Sequence, residues 1–132
     1  MQVRDGMSTD VLTIGPGHTL RQAAERMASR RVGAAVVIDP DGEGPGILTE
    51  RDLLYALGNG VDPDNEAVSE HLTATAVSAA PDWSLEQAAT EMVKGGFRHL
   101  VVLEGSDIIG VLTMRDIVRC WTEAGAGSEL SS

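Results

Sequence analysis

The chain has 132 residues, of which 20 are acidic and 10 are basic, and its formal net charge of −10 repels nucleic acid and anionic membranes. A single cysteine, Cys120, excludes an intramolecular disulfide, and no apolar run is long enough to span a membrane. We therefore expect one soluble, cytoplasmic domain. Its core should be aliphatic, because aromatic residues make up only 3% of the chain.

A short strand and a helix are the first predicted elements. The β-prone run over residues 11–14 ends at the breaker Gly-Pro-Gly over 15–17. A capping-box pattern follows, in which the Thr19 hydroxyl accepts from a free helix N–H and the Gln22 side chain reaches back to another. The predicted helix is amphipathic, and its apolar face consists of Leu20, Ala23, Ala24 and Met27.

Two strands and a second helix complete the first half. The run over 32–38 lacks polar alternation, which is typical of a strand covered on both faces. A turn over 39–45 leads into the first Gly-to-Asp motif, Gly46-Ile47-Leu48-Thr49-Glu50-Arg51-Asp52, which predicts a strand running directly into a helix. The sequence then predicts a linker over 58–65 and a short connecting helix over 66–72.

The second half repeats the first. The offset is 65 residues between the capped helices, where Leu85 matches Leu20, and 64 residues at the second Gly-to-Asp motif, Gly110-Val111-Leu112-Thr113-Met114-Arg115-Asp116. A unit of about 60 residues is marginally stable alone, so the halves should pack together. We predict an α/β (α+β) fold of two pseudo-symmetric β-α-β-β-α repeats packed through their sheets. Repeat 1 spans 1–62, repeat 2 spans 63–124, and a disordered tail spans 125–132.

The Gly-to-Asp motifs place a hydroxyl at a strand–helix junction and a carboxylate three residues later. Free backbone N–H groups and the helix dipole favour an anion at such a turn, and the two oxygens of a carboxylate suit a ribose diol. The alternative is an ordinary N-terminal cap that needs no ligand. Duplication in register, with Arg51 and Arg115 in the two copies, favours ligand binding.

The duplicated order of these motifs resembles a tandem pair of cystathionine-β-synthase (CBS) domains, a Bateman module, from about Val3 to Trp121. The matching features are Gly-h-h-Thr-x-Arg-Asp in both copies (h is apolar), two Leu-x-x-Ala-x-x-x-Met helices and the run over 98–103. The resemblance implies a non-catalytic regulatory or sensor module. It implies an adenosine-containing ligand, such as AMP, ADP, ATP or S-adenosylmethionine, in the cleft between the repeats, and no obligatory cofactor.

The resemblance also implies roles for individual residues. Asp52 and Asp116 would accept hydrogen bonds from ribose hydroxyls, and Thr49 and Thr113 would be the hydroxyl residues of the turns. The implied phosphate-side groups are Arg51, Arg98, His99 and Arg115. His99 also lies in an apolar strand, where a hydrogen-bonded core histidine is an equal alternative.

The sequence departs from the family pattern in two ways, and the second departure makes the sites unequal. Ala35 and Leu100 stand where the family often has proline, and the first copy has Gly33-Ala34 where the second has Arg98-His99. Which strand lines which turn depends on how the repeats cross. We expect one occupied clamp, at the second motif with Asp116, and a weaker or vacant one at the first motif.

Catalysis and metal binding find little support in the sequence. No nucleophile–base pair, metal-ligand cluster or carboxylate dyad stands out, so we expect neither an enzyme nor a metal site. Cys120 predicts a packed thiol, and the Gly-rich stretch over 42–46 precedes a strand, which is the wrong context for a phosphate loop. The sequence predicts a homodimer that pairs through its helices and acts on an unidentified protein partner. A ligand-free scaffold of the same fold is the alternative function.

Overall fold

In the computed structural model, the backbone is described for residues 1–42, 44–73 and 76–131, and side chains are described within these ranges up to Glu123. The elements are α1 (Val3–Gly6), β1 (Thr13–Ile14), α2 (Leu20–Arg30), β2 (Ala34–Val37), β3 (Gly46–Thr49), α3 (Glu50–Gly58), β4 (Ser78–Ala79), α4 (Leu85–Gly95), β5 (His99–Glu104), β6 (Asp107–Thr113) and α5 (Met114–Ser131). The order β-α-β-β-α occurs twice, from β1 to α3 and from β4 to α5. The predicted pair of pseudo-symmetric repeats is therefore confirmed.

Contacts divide the chain into two compact units. The first unit is Val11–Ala76, and the second unit joins Met1–Asp10 to Val77–Ser132. Each unit contains a three-stranded sheet, in the order β1-β2-β3 or β4-β5-β6. The first two strands of each sheet are parallel and joined by a helix, and the last two are antiparallel. Each unit is thus a mixed sheet with helices, as the predicted α/β class requires.

The central strands β2 and β5 are buried, as their apolar runs predict. Val36 and Val101 alternate with core residues along these strands and are themselves buried, which agrees with strands that are covered on both faces. The buried core of the first unit consists of Leu12, Ile14, Leu20, Ala23, Met27, Ala35, Val37, Leu48, Ala56 and Val68. The buried core of the second unit consists of Val3, Ala79, Leu85, Ala88, Met92, Leu100, Val102, Leu112, Ile117 and Cys120.

The segment that precedes each repeat completes the sheet of the other repeat. Ser8, near the N-terminus, pairs with Val111 of β6 through two backbone hydrogen bonds of 2.9 and 3.0 Å. Thr73, which precedes the second repeat, pairs in the same way with Ile47 of β3, at 3.0 Å in both directions. The compact units therefore do not coincide with the repeats of the sequence, because the first ten residues precede the first repeat but belong to the second unit.

The same exchange fixes the region between the repeats. Val68 is fully buried in the first unit, and its N–H donates to the His18 carbonyl at 2.8 Å. The predicted connecting helix over 66–72 is a three-residue 3-10 turn, Val68–Glu70, because Val68 and Ser69 donate to carbonyls near α2 instead of continuing a helix. In the linker before it, the Asp64 backbone N–H and the Asn65 amide hold the pKa of Asp62 below its usual range.

Helix ends show how closely the repeats correspond. Thr19 and Gln22 form the predicted reciprocal capping box, and Ser84 accepts from the Gln87 N–H at 3.0 Å in the second repeat. Both helices end in the left-handed conformation, with Arg31 at φ 56° after α2 and Gly96 at φ 71° after α4. Residues 125–131 of the tail that was predicted to be disordered lie in α5, and Ser132 lies outside the described residues.

Candidate functional site

Each Thr-x-x-Asp turn forms the hydrogen bonds of a helix cap. In the first unit, Thr49 N donates to Asp52 Oδ2 at 2.8 Å, and Asp52 N donates to Thr49 Oγ1 at 3.2 Å. In the second unit, Thr113 N donates to Asp116 Oδ2 at 2.9 Å, and Asp116 N donates to Thr113 Oγ1 at 3.0 Å. The capping alternative raised by the sequence is therefore realised in both turns.

Capping uses only one oxygen of each carboxylate. The Thr49 hydroxyl also donates to Asp52 Oδ2 at 3.0 Å, and Oδ1 of Asp52 accepts no hydrogen bond from another described residue. Asp116 Oδ1 lies 3.6 Å from Arg119 Nη2, and the Asp116 side chain is 20% exposed. A carboxylate oxygen has two lone pairs, so an additional hydroxyl donor can be accommodated at each turn. Capping and ligand binding by the same aspartate are compatible.

In the second unit, the sheet brings the other predicted site residues to the same turn. His99 is the register partner of Thr113, and Met114 N donates to the Arg98 carbonyl at 2.9 Å. Arg98, His99, Thr113 and Asp116 therefore lie at one end of the β5–β6 pair. Arg98 is exposed and His99 is half-buried.

Arg115 lies in the first turn of α5, adjacent to this group, and is exposed. Neither Arg98 nor Arg115 forms a side-chain hydrogen bond or ion pair with another residue in the described ranges. Their charges are therefore available to solvent or to an anion. The second unit thus offers a capped aspartate with Arg119 Nη2 at 3.6 Å from its Oδ1 and with the exposed Arg98 and Arg115 at the same end of the β5–β6 pair.

The first unit has the same backbone and different chemistry. Ala34 is the register partner of Thr49, and Glu50 N donates to the Gly33 carbonyl at 2.9 Å. The Glu50 carboxylate lies against Gly33, since a Cβ atom added there would be 3.2 Å from Oε1. Arg51 Nη2 donates to the Tyr55 hydroxyl at 3.1 Å, and the guanidinium carbon lies 5.2 Å from the ring centroid.

Glu50 was missed by sequence reasoning. The signal was a pair of differences at matched positions: Gly33 and Glu50 in the first repeat stand where Arg98 and Met114 stand in the second. Taken one at a time, each difference is an ordinary substitution. Only the backbone hydrogen bond between the two positions shows that the side chains adjoin, so that a carboxylate replaces a guanidinium in the first turn.

The remaining candidate features among the described residues are a reactive thiol, a metal site and a membrane-spanning helix. Cys120 is 2% exposed and belongs to the core of the second unit, as predicted for a packed thiol. Among the residues of the described ranges, no group of three or more His, Cys, Asp or Glu side chains is placed to hold a metal ion. No helix in that part of the chain combines the length and apolarity needed to cross a membrane.

Comparison with known proteins decides the family. The CBS domain is matched twice, over residues 2–59 and 68–123. The chain belongs to the CBS domain family. The CBS domain-containing protein YhcV of Bacillus subtilis is 33% identical over 132 residues, covering 98% of this chain and 93% of YhcV. The resemblance inferred from the duplicated motifs is confirmed.

Solved CBS structures share the fold. A CBS-domain containing protein of Agrobacterium tumefaciens has 33% identity and a TM-score of 0.79, covering 89% of this chain and 91% of that one. A CBS domain protein of Pyrobaculum aerophilum complexed with AMP has 25% identity and a TM-score of 0.79, covering 88% and 89%. Other relatives are longer: the chain spans 41% of an uncharacterized Methanocaldococcus jannaschii protein and 21% of an Arabidopsis thaliana CBS domain-containing protein.

Proposed function

We propose that this CBS pair is a regulatory module that binds an adenosine-containing ligand through its two Thr-x-x-Asp turns. The observation that carries the proposal is the carboxylate geometry, because Asp52 and Asp116 each cap a helix with Oδ2. Oδ1 then has lone pairs for a ribose hydroxyl, although in Asp116 it also lies 3.6 Å from Arg119 Nη2. The Pyrobaculum aerophilum neighbour complexed with AMP supports an adenine nucleotide as the ligand class. The backbone N–H groups of Thr49 and Thr113 orient the carboxylates, and the Thr49 hydroxyl donates a further hydrogen bond to Asp52.

The second-repeat turn is proposed as the nucleotide site. Arg98 and Arg115 are exposed, and a phosphate between them would form charge-assisted hydrogen bonds that are stronger than those between neutral groups. His99 begins β5 beside Thr113 and is proposed as a further phosphate-side group. Arg51 is engaged with Tyr55, so binding of phosphate by Arg51 would require that contact to be given up. This difference supports unequal occupancy of the two turns.

The module is further proposed to act without catalysis, as a homodimer that passes its ligand state to a partner protein. Apolar side chains are exposed on α3, where Leu54 and Leu57 face solvent, and on α5, where Val118 and Trp121 do. Exposed apolar groups of this kind mark surfaces that pack against another protein. Ligand would shift the regulatory state by its differential affinity for two conformations of the pair.

Calorimetric titration with AMP, ADP, ATP, adenosine and S-adenosylmethionine tests the proposal. A hydrogen bond to a charged group contributes about 1.5–3 kcal/mol, so Asp52→Ala with Asp116→Ala should weaken binding roughly tenfold to a hundredfold. The matched control is Gln22→Ala, which removes a capping contact of 3.0 Å from a helix with no candidate ligand residue. This control should lower stability by about 1 kcal/mol, as the aspartate changes do, and leave affinity unchanged.

Two results would contradict the proposal. The first is absence of binding by every compound at millimolar concentration, which would favour the ligand-free scaffold. The second is equal affinity in the wild-type protein and the double aspartate variant, which would show that the two carboxylates only cap their helices.

A further inference from the structure

The two turns carry opposite charge at matched positions. The backbone hydrogen bond that joins the positions is 2.9 Å long in both repeats, from Glu50 N to the Gly33 carbonyl and from Met114 N to the Arg98 carbonyl. The side chains at these positions are therefore equivalent in space within their own units. In the first unit the pair is a glycine and a glutamate, and in the second it is an arginine and a methionine.

Gly33 and Glu50 act as a pair. A Cβ atom at residue 33 would lie 3.2 Å from Glu50 Oε1 and 3.3 Å from Glu50 Cδ, so a side chain there would require the carboxylate to shift by a few tenths of an ångström. The absence of a side chain at Gly33 thus leaves room for the Glu50 carboxylate at the turn. Glu50 is the first residue of α3, where its negative charge already interacts with the helix dipole that a phosphate would use.

Other charges of the first turn strengthen this effect. Asp52 lies two residues further on, and the guanidinium of Arg51 is held by the Tyr55 ring and hydroxyl. An incoming phosphate would face two carboxylates with the nearby cation directed elsewhere. A ribose without phosphate would meet no such repulsion, because it needs only the acceptor oxygen of Asp52.

We infer that Glu50 is a specificity-determining residue that makes the first-repeat turn a site for nucleosides without phosphate, whereas Arg98 and Arg115 make the second-repeat turn a site for phosphorylated nucleosides. The inference rests on the proposed function and names the ligand class of each turn. Glu50 is exposed, so solvent and salt screen its charge, and its effect on phosphate affinity should be roughly three- to tenfold at low salt.

The test isolates each turn before it compares ligands. Asp116→Ala leaves the first-repeat turn, and Asp52→Ala leaves the second-repeat turn. The dissociation constants of adenosine and AMP are measured by calorimetry in both backgrounds, at low and at high salt. We expect the Asp116→Ala protein to prefer adenosine and the Asp52→Ala protein to prefer AMP.

The charge of Glu50 is then removed in the Asp116→Ala background. Glu50→Gln keeps the shape and hydrogen-bonding reach of the side chain, and Gly33→Arg with Glu50→Met installs the residues of the second repeat. Both should shift the preference toward AMP, by roughly three- to tenfold for Glu50→Gln at low salt and by less at high salt. Glu86→Gln, which neutralises an exposed carboxylate in the first turn of α4, is the matched control and should leave the preference within about twofold.

The outcomes separate the inference from the function on which it rests. If adenosine and AMP bind the second-repeat turn but neither binds the first, the first turn is vacant, and the inference falls while the proposed function stands. An unchanged preference in Glu50→Gln and in the double substitution would overturn the role of Glu50. If neither compound binds in either background, the proposed function falls and the inference falls with it.

Discussion

Gly110→Ala should destabilise the second unit, because the glycine lies directly against the N-terminal segment. A Cβ atom at Gly110 would be 2.6 Å from Met7 Sδ and 2.9 Å from the Ser8 carbonyl oxygen, distances shorter than side-chain carbons tolerate. The Met7 side chain can rotate away. The Ser8 carbonyl cannot, since it accepts from Val111 N at 3.0 Å and moves only if that pairing opens.

The size of the stability loss depends on whether the Ser8–Val111 pairing opens to admit the new methyl group. If the pairing opens, loss of the two Ser8–Val111 hydrogen bonds costs about 0.5–1.5 kcal/mol each. If it stays closed, the strain of the extra methyl group costs about 1–3 kcal/mol, which is the same range. We therefore expect the free energy of unfolding to fall by about 1–3 kcal/mol. For a chain of this length that corresponds to a decrease in Tm of several degrees.

Urea unfolding monitored by circular dichroism measures the change. Gly17→Ala is the matched control, because a Cβ atom there contacts nothing within 4 Å, and it should alter stability by less than about 0.5 kcal/mol. Met7→Ala added to Gly110→Ala should relieve the clash with sulfur and leave the clash with the Ser8 carbonyl. A loss of stability no larger than that of Gly17→Ala would refute the assignment of residues 1–10 to the second unit.

Two further predictions concern the helix ends and the proposed dimer. Gly96→Ala should lower the free energy of unfolding by about 1 kcal/mol, because Gly96 has φ 71° and a side chain there would gain no contact in return. Arg31→Gly, at the equivalent left-handed position, should be neutral or stabilising. Thermal unfolding measures both changes, and a larger loss of stability for Arg31→Gly than for Gly96→Ala would contradict the backbone argument. Leu54→Glu with Leu57→Glu should shift sedimentation from dimer to monomer without loss of helicity, and an unchanged sedimentation coefficient would remove α3 from the proposed interface.

Much of the fold could be predicted because the signals are local. The capping box of Thr19 and Gln22, for example, uses residues three apart, so the sequence pattern and the hydrogen bonds coincide. The continuous apolar runs likewise became the buried central strands β2 and β5. Duplication strengthened each prediction, since two weak signals at a constant offset are more specific than one.

The exchanged segments could not be predicted from local pattern. Val3 and Ser8 match Val68 and Thr73 at the same offset of 65 residues, and this match was available in the sequence. It shows that the two segments are equivalent, but not which sheet each one joins. That choice depends on long-range pairing between Ser8 and Val111, to which neither periodicity nor propensity contributes.

The candidate site was predicted in part. Sequence reasoning selected both Thr-x-x-Asp turns and left capping and ligand binding as alternatives, and the structure has the caps in place. Ligand binding remains a prediction. Glu50 was overlooked because the middle position of the motif was treated as variable, and because Gly33, which leaves room for its carboxylate, has no side chain of its own.

The exchange of segments determines where the chain can be cut to give a single repeat with a closed sheet. Ser8 closes the sheet of the second unit and Thr73 closes that of the first. A repeat cut at the predicted boundary after residue 62 would therefore lack its own closing segment and would expose the outer edge of its last strand. Such an edge recruits strands from other molecules. A cut that follows the compact unit Val11–Ala76 instead keeps Thr73 paired with Ile47, so the place of the cut decides whether the excised piece has an open sheet edge.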